Sequence, residues 1–168
     1  KKNYVQNDKP IIPEYNYNKQ GSEDMYGKGA LMLNSIRNII NDDRKWFTFL
    51  KHMQNNYKYK NITTDIIIKI LDSITDIDFS DVFNKYLKNT DPPKLIVKAD
   101  SKNEQICIQY KWDYSDNFSM PIIVTNKNKK QYIKVTSEWS APVCYKKNKI
   151  KNKKYRLRND LIYYNIKI

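Results

Sequence analysis

A chain of 168 residues, 40% hydrophobic and 13% aromatic, carries enough apolar side chain to fill the core of one ordinary domain or two small ones, which excludes a disordered chain. Its net charge of +13 would attract polyanions, but the lysines are scattered along the sequence as they are on solvated faces. No run approaches the roughly 18 apolar residues of a membrane-spanning helix, and the opening Lys1-Lys2-Asn3 leads into polar, Pro-containing sequence instead of a signal peptide.

Residues 1–21 read as an irregular lead-in, because Pro10 and Pro13 interrupt any helix. Ser22-Glu23-Asp24 then starts a helix that runs to about Asn41, with Met25, Met32, Ile36 and Ile39 on one face and Ala30, Leu33 and Ile40 beside it. Asp42-Asp43 opens a second helix through Trp46, Phe47, Leu50 and Met53. Thr63-Thr64-Asp65 caps a third through Ile67, Ile70, Leu71 and Ile74, and Ser80-Asp81 caps a fourth through Val82, Phe83, Tyr86 and Leu87. The short loops between them suit antiparallel helix pairs.

Pro92-Pro93 ends this regime, and the apolar period changes from near 3.6 to 2. Leu95 to Val97, Gln105 to Trp112, Met120 to Thr125, Gln131 to Val135 and Leu161 to Ile168 are predicted strands, with a hairpin turn at Asn126-Lys127-Asn128-Lys129. Cys107 and Cys144 either pair or are both buried thiols.

Few residues offer chemistry. His52 is the single histidine, so no H-E-x-x-H motif exists in the chain, no Cys/His cluster has zinc spacing, and no G-x-S-x-G elbow is present. A lone histidine on a helix is a boundary residue by default. The stretch Tyr145 to Arg158, "YKKNKIKNKKYRLR", mixes lysines with tyrosines, and its two readings are a phosphate-contacting, base-stacking surface or a cationic loop or edge-strand pair that resists aggregation. The third feature is local. Of the three glycines, Gly27 and Gly29 flank Lys28 one residue after Tyr26, early in the first helix.

Tyr26-Gly27-Lys28-Gly29-Ala30 resembles the Tyr-x-Lys-Gly-Ala pattern of the gluzincin zinc aminopeptidases, the family of aminopeptidase N and leukotriene hydrolase. "LMLNSIRNIINDDRKWFTFLKHM" is similar to that family's following helix pair, with Arg37 and Trp46-Phe47 in matching places. "YKYKNITTD" (57–65) and "DFSDVFNKYLKNTDPPKL" (78–95) resemble its Asn-x-Thr-Thr turn and its Pro-containing exit. Residues 22–95 are covered in order, while the lead-in and the tail resemble the bacterial branch more loosely. Gly27 stands where many members carry Glu, and Tyr86 where many carry Trp.

The resemblance implies an α+β chain. Residues 1–93 would be the C-terminal helical portion of a thermolysin-like catalytic domain, and residues 94–168 a small antiparallel β-sandwich. It implies Tyr26 as the catalytic residue, its phenol donating a hydrogen bond to the oxyanion of the tetrahedral intermediate, which suits a group that stays protonated at neutral pH. Small neighbours at Gly27 and Gly29 would let backbone and substrate approach closely. Zinc would serve the full-length enzyme, with its H-E-x-x-H helix N-terminal to Lys1. This chain alone would bind no metal and hydrolyse nothing. The implied partners are peptide substrates and the N-terminal remainder of the same protein, and the family favours a bacterial exported or cell-envelope setting. The alternatives are a non-catalytic binding or scaffold module and a basic nucleic-acid-binding protein.

Overall fold

Caps decide where the helices begin. Asp42, extended ahead of α2 (Asp43–Tyr57), accepts from the amides of Arg44 at 2.8 Å and Lys45 at 3.3 Å. Thr63 serves the amide of Ile66 ahead of α3 (Thr64–Thr75), and Asp78 that of Ser80 at the start of α4 (Ser80–Lys88). Each satisfies an amide that a helix start otherwise leaves without a partner. At the first helix, α1 (Asp24–Ile40), the Ser22 hydroxyl accepts from the Asp24 amide at 3.1 Å. Asn41 and Asp76 end α1 and α3 in the left-handed region, at φ 50° and 60°, and return their amides to the carbonyls of Arg37 and Asp72.

The computed structural model describes residues 4–13, 22–114, 117–126, 129–147 and 155–167. The chain is α+β and divides into two units, Lys1–Asp91 and Pro92–Ile168. In the first, Ile36, Leu71, Phe79 and Tyr86 are buried to 1% exposure or less. Arg37 pairs with Asp43 at 2.9 Å and lies over the Phe47 ring, and Lys45 donates to the Thr75 carbonyl at 3.2 Å. These surface ties fix the helix connections more than they add stability.

One expectation fails in α1. Met25, placed on the core face from its spacing, is 44% exposed, as is Leu33. The inward positions of the first two turns belong to Asp24 and Lys28, because each finds backbone partners in a distant segment.

The described residues of the second unit form seven strands: β1 (Lys94–Lys102), β2 (Gln105–Trp112), β3 (Ile122–Asn126), β4 (Lys129–Ile133), β5 (Val143–Lys146), β6 (Tyr155–Leu157) and β7 (Asn165–Lys167). They form two sheets, ordered β5-β2-β1-β7 and β4-β3-β6. Burial in β2 alternates through Ile108, Tyr110 and Trp112, the period-2 signature of a strand with one covered face. Trp112 donates its indole N–H to the Met120 carbonyl at 2.9 Å and meets Phe118 and Tyr164 edge-on.

Two strand expectations change. The segment from Leu161 is not one strand: a turn carries Ile162, Tyr163 and Tyr164 into the core, and of its described residues Asn165–Lys167 pair, while Ile168 lies outside the described residues. That pairing, with β1, is parallel, because the chain crosses from the other sheet and enters beside β1 in the same direction. The β3–β4 hairpin pairs Asn126 with Lys129, while residues 127–128 lie outside the described residues.

Candidate functional site

Tyr26 occupies the first turn of α1 and points outward, 79% exposed. Beside it α1 to α4 and Ile11 of the lead-in surround a hollow of about 560 Å³. Its walls are almost wholly apolar, from Met25, Leu33, Trp46, Phe49, Leu50 and Ile67, and Tyr26 and Thr64 are also among the lining residues. A helix shows several residues on one wall only when they recur at three- and four-residue spacing, which Tyr26, Gly29, Ala30 and Leu33 do. A hydroxyl at the rim of an apolar concavity can orient one polar group of a ligand whose remainder is greasy.

The two glycines part company. A Cβ on Gly27 would lie 3.2 Å from Cγ2 of Val5, so Gly27 lets the lead-in lie close against α1. A Cβ on Gly29 would meet nothing within 4 Å, and Gly29 faces the hollow. The expected close approach at Gly27 is therefore made by this chain's own Val5.

On the opposite side of α1 lies an arrangement that spacing alone does not announce. The Asp24 carboxylate, 3% exposed, accepts from the backbone amides of Gln6 at 2.8 Å and Asn7 at 2.6 Å. The Lys28 side chain is fully buried, and its ammonium donates to the carbonyls of Asn89 at 2.7 Å and Thr90 at 2.5 Å. Burial pushes the Lys28 amine below its ordinary range, Asp24 and Asp91 oppose that shift, and Lys85 adds to it. The available signal was the four-residue spacing of Asp24, Lys28 and Met32, which puts both charges on the core stripe.

His52 is half-buried on α2 with its ring 6.1 Å from that of Tyr57. Among the described residues, no group of three or more His, Cys, Asp or Glu side chains is arranged to hold a metal ion. The described residues therefore supply no zinc ligand set of their own.

In the basic stretch, residues 148–154 lie outside the described residues. Its flanks are edge strands of different sheets, β5 against β2 and β6 against β3. Their aromatics are engaged internally. Tyr145 and Tyr155 meet edge-on with centroids 5.0 Å apart, Tyr155 shares a hydrogen bond with the Tyr110 hydroxyl, and Tyr145 donates to Gln131 at 3.2 Å. Tyr145 is buried and Tyr155 half-buried, so these rings are packed within the unit and not displayed as a row on its surface.

No family model matches the chain, and no curated protein sequence matches it. Among solved structures it is similar to an aminopeptidase A from Legionella pneumophila, crystallised in complex with aspartic acid, with a TM-score of 0.65 and 14% identity. The match covers 88% of this chain and 18% of that one, so the chain spans less than a fifth of the protein it resembles. At that identity the likeness is one of fold.

Proposed function

We propose that this chain is the C-terminal part of a zinc-dependent aminopeptidase of the gluzincin type, hydrolysing peptides from the amino end. In this reading the zinc ligands belong to a preceding part of the protein, and Tyr26 is the catalytic group contributed here. The observation that carries it is the placement of Tyr26: exposed in the first turn of α1, among the residues that line an apolar hollow, in a chain whose fold resembles part of an aminopeptidase.

The chemistry asked of Tyr26 is modest and specific. As a carbonyl becomes tetrahedral, its oxygen gains negative charge, and a neutral phenol donates a hydrogen bond to it without giving up its proton. The bond strengthens only as the charge develops, so it lowers the barrier more than it tightens substrate binding.

Tyr26→Phe in the full-length protein tests this. It removes one hydroxyl and almost no volume, and turnover of aminoacyl substrates should fall about 10²–10³-fold, the usual effect of losing one oxyanion donor. KM and zinc content should barely change. Full turnover in the variant, or loss of turnover only through unfolding, would make Tyr26 a surface residue.

A further inference from the structure

No hydrogen bond among the described residues holds the Tyr26 phenol, so the helix that carries it sets where the side chain starts and the range its hydroxyl can reach. Whatever fixes the axial and rotational setting of α1 therefore sets that range. Asp24 and Lys28 stand two residues before and two after Tyr26. At about 100° per residue they point within about 40° of each other and about 160° away from the phenol.

Each grips a different segment. Asp24 takes two amides of the lead-in, from Gln6 and Asn7. Lys28 gives two hydrogen bonds to carbonyls just past the end of α4, at Asn89 and Thr90. Between them Gly27 brings the backbone of α1 close to Val5. Taking an ammonium out of water is costly even when it is hydrogen-bonded, and an apolar side chain would fill the same space at lower cost. What an apolar side chain would not provide is direction: two short bonds to fixed carbonyls set where the helix turn sits.

We propose that Asp24 and Lys28 are positioning residues for the Tyr26 hydroxyl, clamping the first turns of α1 from the face opposite the phenol. The proposal rests on the reading of Tyr26 as the oxyanion donor. Small errors in such a donor are expensive, since a displacement of about 1 Å can cost about 10²-fold in rate.

A double-mutant cycle in the full-length protein separates aim from mere stability. Lys28→Met keeps the length of the side chain and removes both donated bonds. It should lower kcat about 10- to 10²-fold with KM within about twofold, and it should cause no further loss in a Tyr26→Phe background. If the two losses multiply, Lys28 acts independently of the phenol and the proposal fails, while the role of Tyr26 stands. If Tyr26→Phe alone keeps full turnover, that role falls and takes the proposal with it. Should Lys28→Met not fold, Asp24→Asn, which retains one acceptor, replaces it in the same cycle. Amide hydrogen exchange on this chain adds a readout free of activity. Exchange from Gly27 to Leu31 should quicken at least about 10-fold in the variant, and unchanged exchange there would overturn the clamp.

Discussion

Cys107 and Cys144 face each other directly in the register of β2 and β5, and their sulfurs are bonded. The pairing that sequence left open is thus a cross-strand staple, and it holds a four-residue edge strand to the centre of its sheet.

Removing the staple should therefore loosen the β unit. The disulfide closes a separation of 37 residues, for which chain-entropy reasoning gives about 3–4 kcal/mol. Cys107→Ser with Cys144→Ser, or full reduction, should lower the melting temperature of the β unit. Denaturant unfolding with and without reductant measures the difference, and coincident curves would show that β5 holds without its bond.

The glycines separate cleanly by substitution. Gly29→Ala adds a methyl into open space on a helix, so the helical unit should gain about 0.5–1 kcal/mol. Gly27→Ala should gain little or nothing, because its Cβ must displace Val5. Thermal unfolding followed by helical circular dichroism ranks the two.

Alkaline pH should drive the units in opposite directions. Burial raises the phenols of Tyr132, Tyr145, Tyr155 and Tyr164 above the ordinary tyrosine range. The unfolded chain then loses protons that the folded one keeps, so the stabilising contribution of these phenols, complete at lower pH, is lost as pH climbs past about 10. Lys28 has the other sign. Its lowered amine opposes folding while protonated, and that penalty is relieved as pH rises through the folded value toward the ordinary lysine range. Urea unfolding across this window should show the β unit weakening while the helical unit holds or strengthens. Parallel loss in both would contradict the opposed signs.

Acid acts on the β unit through two paired carboxylates. The Arg158 guanidinium holds Asp160 below the usual carboxylate range, and the Lys167 ammonium does the same for Asp113. Their support is present above the ordinary carboxylate value and is lost as pH falls through the lowered one. Both pairs face solvent, so the loss should be small and should shrink further in high salt.

Much of the helical unit is legible in the sequence because its signals are local. Asp42 and Thr63 cap the helices they precede, and the apolar stripe from Met32 to Ile40 is read within one element. The misplacement of Met25 has a long-range cause: the partners of Asp24 and Lys28 lie in the lead-in and beyond α4, where no periodicity within α1 can reveal them. The same holds for Tyr145 and Tyr155. Among so many lysines they resemble an exposed binding strip, and only the facing of two sheets turns their rings inward. Leu161 to Tyr164 carry the composition of a strand, yet they form the turn that closes the core over Trp112.

The grip of Lys28 on Asn89 and Thr90 also sets an order of events during synthesis. Its acceptors lie 61 and 62 residues further along the chain, so the first helix emerges long before the carbonyls that seat its lysine. At about 5–20 residues per second the wait is roughly 3–12 s. Throughout that interval α1 carries a charged side chain on the face it must bury, so the helical unit gains its native seat only when α4 has been made.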